Sequence, residues 1–251
     1  MKICIDPGHG GKDPGTSAAG VQEKDLSLQL SLFMAKRAGE LGFGVTLTRD
    51  ADRDLSPAQR TDLVKKSGAQ ICLSNHINAG GGTGTEIIHS LHSNGKLAAL
   101  ILERIKNTGM PTRKIYARES TSQPGKDYYF MHRLTYPTVP ETLIIEYGFI
   151  DNPADRARLL EPEMQKLLVE AVLQGLCSFT GFPYKPPQAE QEKPFVAVII
   201  DRNGKSHIVP QDAVKLEKGV TWIKARTFTE LAGGVVSYDG INNKSTFDFS
   251  R

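Results

Sequence analysis

Cysteine is scarce in this sequence, with three residues in a chain of 251. Cys4 and Cys72 lie in apolar runs that predict strands, and Cys177 lies in a run that predicts a helix. An odd number without paired spacing excludes a disulfide framework of the kind that stabilises small secreted domains. The three thiols are therefore expected to be buried, in a protein made in a reducing cytosol.

Long apolar runs and strong charge are also missing. No stretch predicts a membrane span, and no basic leader with an apolar segment precedes the first strand. The formal net charge of +3 suits weak attraction to an acidic surface such as a cell-wall polymer and excludes the basic stripe of a nucleic-acid-binding protein. We therefore expect no nucleic-acid partner, no membrane insertion and a monomer.

Strand and helix patterns alternate over the first 180 residues. Strands are predicted at 2–6, 43–49, 69–76, 85–90 and 141–150, and helices at 23–41, 56–67, 95–106 and 163–179. The clearest helix start is Ser56-Pro57 with Gln59, which together predict a capping box. The alternation predicts an α/β fold with a largely parallel central sheet flanked by helices.

The composition changes at residues 183–194, where four prolines stand among charged and amide residues. Such a segment predicts a semi-rigid linker. Short β-type runs separated by glycine, asparagine and aspartate follow it. We therefore predict a larger domain at 1–182, a linker at 183–194 and a small β-rich domain at 195–251.

Two histidines and two acids lie at positions where such a fold brings the ends of strands and the starts of helices together. His9 follows the first predicted strand, His76 ends the third, and Glu23 begins the first helix. The carboxyl ends of parallel strands and the starts of helices share one edge of the sheet, where ligands bind. Two imidazoles and one carboxylate are a ligand set of catalytic zinc that leaves one position open. Glu146, in the apolar run LIIEYG, would lie beside them without binding the metal.

Each of these residues also has a plainer interpretation. A histidine at a strand end commonly serves as a structural hydrogen-bonding group. Burial of an unpaired carboxylate such as Glu146 is costly, so this side chain needs a cationic neighbour or a chemical task. From the residue pattern alone, a metal site and a set of structural polar groups both remain open.

Several longer motifs occur in a fixed order along the chain. They are IDPGHGGKDPG, Glu23 at a helix start, LTRDADRDLSPAQR, SNHINAGGGTGTE and PETLIIEYGFIDNPAD. Together they resemble the zinc-dependent N-acetylmuramoyl-L-alanine amidases of the amidase-3 type, which include bacterial cell-wall hydrolases and phage endolysins. The resemblance covers residues 1–182.

The resemblance implies that His9, Glu23 and His76 bind one Zn²⁺ ion and that Glu146 is the catalytic glutamate. It implies hydrolysis of the amide that joins N-acetylmuramic acid to L-alanine, with peptidoglycan as the partner. Zinc would polarise the carbonyl and lower the pKa of water. Glu146 would then act as general base and afterwards as general acid.

Other polar residues have two interpretations each. Asn78 would hydrogen-bond the substrate or orient a ligand, or else stabilise a turn. Glu86 would accept the second N–H of a metal-binding histidine, or else form a surface ion pair. Arg49, Arg53 and Arg60 are expected in structural ion pairs, with contact of one of them to a stem-peptide carboxylate as the alternative.

Two other functions remain open. One is a peptidase or other amidohydrolase with the same metal site, and the other is a wall-binding module without catalysis, against which the presence of Glu146 argues. The missing leader favours a phage or prophage endolysin that is made in the host cytoplasm and released to the cell wall by a holin or by lysis. A bacterial autolysin is the alternative.

The segment 195–251 weakly resembles the stalk-like modules at the amino end of copper amine oxidases. The likeness depends on the DRNGK hairpin and on GVTWIKARTFTELAGGVVSYD, in which TFTELAGG predicts one helix. It implies an accessory wall-binding role without copper ligands, and a purely structural role is the alternative. Trp222, Phe228 and Tyr238 are expected either to stack on sugar or to form the core of the module.

Overall fold

The computed structural model describes residues 1–187 and, beyond them, Thr227 and the backbone of six short strands. Contacts between Cα atoms divide the chain into two units, Met1–Pro187 and Gln188–Arg251. None of the helices that the structure describes is long and apolar enough to cross a membrane.

The first unit alternates strands and helices as predicted. Its strands are β1 (Lys2–Pro7), β2 (Ser17–Ala18), β3 (Val21–Gln22), β4 (Gly44–Leu47), β5 (Ile71–Asn78), β6 (Thr85–His89), β7 (Thr112–Tyr116) and β8 (Glu141–Phe149). Its helices are α1 (Glu23–Leu41), α2 (Pro57–Lys66), α3 (Lys96–Lys106), α4 (Phe130–Thr135), α5 (Pro153–Leu160) and α6 (Pro162–Thr180). The elements β2, β3, β7, α4 and α5 were not predicted.

Six of these strands form one sheet in the order β4-β1-β5-β8-β6-β7. Every neighbouring pair is parallel except β6 and β8, which are antiparallel. The prediction of a largely parallel central sheet flanked by helices is confirmed.

The two faces of the sheet carry cores of different size. Leu143 and Ile145 of β8 belong to the larger core, which α1, α3 and α6 cover, whereas Ile144 belongs to a smaller one under α2 and α4. Successive side chains of a strand point to opposite faces. Glu146 is two residues after Ile144, so it lies on the face that only the short helices α2 and α4 cover.

Local signals explain where two of the helices begin and end. Ser56 Oγ accepts a hydrogen bond from the Gln59 backbone, and the Gln59 side chain accepts one from the Ser56 backbone, so the predicted capping box of α2 is present. Helix α1 ends at Leu41. The next residue, Gly42, caps it with a φ of 98°, a left-handed conformation that suits glycine.

The end of β5 differs from the prediction by two residues. Strand β5 does not end at His76 but continues to Asn78. Its pairing with β8 matches His76 to Glu146 and then Asn78 to Phe149, so one extra residue lies on β8. Such an irregularity bends the strand and re-aims side chains, and periodicity alone does not reveal it.

The three cysteines are buried and free, as the sequence predicted. Cys4 and Cys72 lie side by side on the paired strands β1 and β5. Both belong to the smaller core, so they serve as apolar packing residues.

The described strands of the second unit form three antiparallel pairs. They are β9 (Val198–Ile200) with β10 (Ser206–Ile208), β11 (Val214–Glu217) with β12 (Val220–Ile223), and β13 (Val235–Asp239) with β14 (Lys244–Asp248). The predicted helix TFTELAGG lies outside the described residues except for Thr227. The side chains of Trp222, Phe228 and Tyr238 also lie outside them.

The start of the predicted linker contacts the first unit. The Tyr184 hydroxyl donates to Glu170 Oε2 at 2.7 Å, and the guanidinium of Arg37 donates to the Lys185 carbonyl at 3.0 Å. Residues 188–194 of that linker lie outside the described residues.

Candidate metal and catalytic site

Glu23 is the first residue of α1, and its carboxylate is buried. Oε1 accepts hydrogen bonds from the Ile77 backbone at 3.0 Å and is 2.9 Å from His76 Nδ1. Oε2 accepts from the backbone and hydroxyl of Thr16 at 2.9 and 3.1 Å. These contacts orient the acid from both sides and aim it at the histidines.

His9 reaches the same carboxylate from the end of β1. Its Nε2 is 3.1 Å from Glu23 Oε1, and its Nδ1 is 2.8 Å from Asp13 Oδ2. The backbone of His9 has a φ of 58°, which residues other than glycine seldom adopt and which is common at functional sites. Asp13 was not predicted, although it lies only four residues after His9 in the glycine-rich motif.

Two glycines make room for this cluster. A Cβ atom at Gly8 would lie 2.4 Å from the His76 ring. A Cβ atom at Gly15 would lie 2.5 Å from Glu23 Oε2 and 2.7 Å from the His9 ring. All three distances are shorter than non-bonded atoms tolerate, so only glycine at these two positions allows the three side chains to meet here.

Two buried arginines hold the loop that carries His9. Arg49 and Arg60 donate to the carbonyl oxygens of residues 7–9 at distances from 2.5 to 3.1 Å. Arg60 also forms an ion pair with buried Asp6 at 2.7 Å. The expectation of structural ion pairs is therefore correct for Arg60, whereas Arg49 binds mainly backbone carbonyls.

The metal-competent side chains converge. One donor atom each from His9, Glu23 and His76 lies within 4.8 Å of the other two, and this is the one such group found among the described residues. Two imidazole nitrogens and a carboxylate oxygen are a donor set that zinc prefers. The sequence prediction that distant elements bring these three side chains together is consistent with this geometry.

The charges of the cluster depend on one another. Burial opposes the charge of His9, but its contacts with Glu23 and Asp13 outweigh burial and raise its pKa to about 9. Burial also opposes ionisation of Glu23, yet the hydrogen bonds from His76 and His9 hold its pKa well below the usual range. The centre of the cluster is therefore an environment that stabilises positive charge, which a divalent cation would satisfy.

Glu146 lies next to the cluster on the neighbouring strand, paired in register with His76. Its Oε2 atom is buried and has no hydrogen-bond partner in the described part of the chain. Burial raises the pKa of Glu146 to about 7, against the opposing charge of His76. An unpartnered buried carboxyl beside a metal-competent cluster is a feature of catalytic sites more than of structural ones.

A cleft of about 310 Å³ opens above these residues. The polar residues that line it include His9, Asp13, His76 and Glu146. The apolar and aromatic residues that line it are Leu55, Pro57, Tyr129, Phe130, Met131 and Ile144. The cleft gives an extended substrate access to the Glu146 carboxyl.

The structure places Asn78 and Glu86 in contact with each other. Asn78 Nδ2 donates to Glu86 Oε2 at 3.1 Å, and Arg113 donates to Glu86 Oε1 at 2.8 Å. The side chain that accepts from His9 in the described structure is Asp13, not Glu86. Glu86 is nevertheless close to the site, because it pairs across β6 and β8 with Glu146.

Comparisons with known proteins agree with this geometry. The profile of the family described as N-acetylmuramoyl-L-alanine amidase matches residues 3–178. The N-acetylmuramoyl-L-alanine amidase CwlM of Bacillus licheniformis is 36% identical over 187 residues, which are 70% of this chain and 67% of that protein. The endolysin of Bacillus phage SPP1 is 25% identical over 186 residues, which are 73% of this chain and 67% of that protein.

Solved structures show the same fold. The N-acetylmuramoyl-L-alanine amidase of Clostridium difficile 630 has a TM-score of 0.64 at 26% identity, over 72% of this chain and 96% of that one. The residues matched by the family profile include His9, Glu23, His76 and Glu146. The chain therefore belongs to the N-acetylmuramoyl-L-alanine amidase family.

Proposed function

We propose that this protein is a zinc-dependent hydrolase of the amide between the lactyl group of N-acetylmuramic acid and L-alanine in peptidoglycan. The observation that carries the proposal is the meeting of three zinc-type ligands, two of which line an open cleft together with Glu146. The Glu146 Oε2 atom is buried and unpartnered in the part of the chain that the structure describes. Membership of the amidase family supports the choice of bond.

His9 Nε2, Glu23 Oε1 and His76 Nδ1 would hold the metal. When bound, zinc supplies Lewis-acid polarisation of the scissile carbonyl and lowers the pKa of water. Asp13 accepts from His9 Nδ1, which leaves Nε2 as the metal-binding nitrogen. Asn78 and Glu86 would support the substrate side of the site rather than the ligands.

Glu146 would move the protons. An opposite charge beside a carboxyl lowers its pKa, so Glu146 would be ionised when a cation lies next to it. In that form it accepts a proton from the attacking water and then delivers one to the leaving amine. Its Oε2 atom is buried, which limits competing contacts of that atom with bulk solvent.

The test uses the purified full chain and disaccharide-peptide fragments of peptidoglycan, with mass spectrometry of the products. Free stem peptide and intact disaccharide are expected. Glu146→Gln should bind zinc and lose turnover, and His76→Ala should lose zinc. Glu141→Gln is the matched control, since it makes the same change earlier on β8, and it should stay active.

The products found in this experiment also distinguish the proposed amidase from the two alternative functions. A peptidase would cut within the stem peptide, and a wall-binding module without catalysis would give no product. An active Glu146→Gln protein would contradict the proposed mechanism.

We further propose that the protein acts at the cell wall as a monomeric lysin of phage or bacterial origin. The likeness to an endolysin and to a Bacillus amidase supports wall hydrolysis in either setting. Expression inside bacteria with and without a holin tests the phage role, because only release through a permeabilised membrane should lyse the cells.

Residues 195–251 are proposed to be an accessory wall-binding domain after a linker at 183–194. Retention on purified cell walls should fall for a chain that ends at residue 187, while cleavage of soluble fragments should remain.

A further inference from the structure

An irregular pairing between β6 and β7 places two cations against one acid. Thr85 pairs with Thr112, but Glu86 pairs with Lys114, so Arg113 is an extra residue on β7. A bulge of this kind re-aims side chains. Arg113 Nη1 is 2.8 Å and Lys114 Nζ is 3.8 Å from the same oxygen, Glu86 Oε1.

The charges in this group do not cancel. Glu86 is buried and carries one negative charge, whereas Arg113 and Lys114 carry two positive charges. The side chains of the two cations are 48% and 51% exposed, so a solute can reach them. Arg113 donates one hydrogen bond to Glu86. A guanidinium has five N–H groups, so Arg113 can also donate to a ligand.

Side-chain contacts link Lys114 to a residue that lines the cleft. Tyr129 lines the cleft, and its hydroxyl is 3.4 Å from the hydroxyl of Tyr116. Lys114 Nζ lies 4.3 Å from the centre of the Tyr116 ring. The ammonium group of Lys114 is therefore two contacts away from the lining of the cleft.

The spacing suits a group one residue beyond the scissile bond. Glu86 pairs directly with Glu146, so β7 lies two strands from β8, about 10 Å away at the usual strand spacing. The Arg113 side chain reaches from β7 to Glu86 on the adjacent strand β6. Two extended residues of a peptide span about 7 Å, a length between one and two strand spacings from β8.

We propose that Arg113 and Lys114 form a subsite for the free carboxylate of the second residue of the stem peptide. This inference rests on the proposed function. That residue is linked to the next one through its side chain, so its α-carboxyl is either a free anion or an amide. Arginine and lysine favour the anion, because charge-assisted hydrogen bonds to a carboxylate are stronger than those to a neutral amide.

The experiment compares two disaccharide tetrapeptides that differ only at residue 2, with a free α-carboxylate in one and its amide in the other. The full chain should cleave the acid with a kcat/KM about tenfold higher, mainly through KM. In Lys114→Gln and Arg113→Gln the acid-to-amide ratio should fall about fivefold. Added salt should reduce the preference of the unchanged protein, because it screens exposed charges.

Lys106→Gln is the matched control. It removes the same charge from an exposed position on α3, which covers the other face of the sheet, and the ratio should not change. Equal cleavage of acid and amide by the unchanged protein would overturn the subsite, as would an equal loss on both substrates in Lys114→Gln. Cleavage of neither substrate would instead overturn the proposed function, and the subsite with it.

Discussion

At the scale of single residues, the site depends on how His9 is held. Its Nδ1 contacts Asp13, whose backbone N–H and carbonyl pair with those of Gly10. Asp13 Oδ1 also accepts from the Gly15 backbone. The carboxylate is thus fixed by its own loop, and it selects the tautomer and orientation of His9.

Asp13→Asn should therefore weaken zinc binding about 10- to 100-fold, since an amide is a poorer acceptor than a carboxylate. Competition with a chromogenic chelator measures the affinity independently of turnover. Asp62→Asn, an exposed change on α2, is the control. Unchanged zinc affinity in Asp13→Asn would show that this contact does not support the ligand.

The buried side chain of His132 should make the stability of the fold depend on pH. It is buried in α4, and neither ring nitrogen has a hydrogen-bond partner among the described residues. Burial lowers its pKa below the ordinary value of 6.5. The folded state therefore holds the neutral ring, while the unfolded chain gains a proton as the pH falls below 6.5, and this difference destabilises the fold in acid.

His132→Phe should remove that part of the acid sensitivity. Between pH 7.5 and 5, the unchanged protein should lose about 2 kcal/mol more free energy of unfolding than the variant. Urea unfolding at the two pH values gives the difference. Equal losses in both proteins would mean that His132 binds its proton as readily in the folded state as in the unfolded chain.

At the scale of elements, a buried ion pair joins α1 to α6. Arg37 Nε is 2.5 Å from Glu170 Oε1, and Tyr184 donates to the other carboxylate oxygen. The sequence predicted both helices from their apolar periodicity, but it did not reveal this pair, because the partners are 133 positions apart.

Removal of Glu170 takes away the buried partner of Arg37 and leaves its guanidinium with the half-exposed Glu40 and the Lys185 carbonyl. Glu170→Leu should lower the free energy of unfolding by about 3 kcal/mol, and Arg37→Met/Glu170→Leu should recover most of that loss. Chemical denaturation of Arg37→Met, Glu170→Leu and the double variant measures the coupling. A double variant that is as unstable as the sum of the single changes would exclude a specific interaction.

Short elements were the ones that sequence patterns missed. Helix α4 has six residues and β7 has five, too few for a clear period, and both depend on packing against the sheet. Helix α2, by contrast, was predicted with its start because Ser56, Pro57 and Gln59 are a local signal.

At the scale of the whole molecule, metal binding should stabilise the first unit. The ligands come from β1, α1 and β5, so zinc would join segments that are far apart in sequence. A ligand present at 100 times its dissociation constant adds about 2.7 kcal/mol to the free energy of unfolding of the state that binds it.

Calorimetry should therefore show a lower unfolding temperature after chelation, by about 5 to 10 °C for a unit of this size. Added zinc should restore it. His76→Ala should unfold at the same temperature with and without chelator. A chelator effect of full size in His76→Ala would place the stabilising metal elsewhere.

The sequence by itself determined the alternation of strands and helices, the burial of the cysteines and the motif order that indicates the family. These features are local in the chain or repeat with a fixed period. Only the tertiary structure decided which side chains are in contact. Asp13 contacts His9, two arginines bind the loop that carries His9, and Arg113 and Lys114 both contact Glu86. The last of these follows from a one-residue shift in strand pairing, and pairing register depends on the neighbouring strand rather than on the residues of β7 alone.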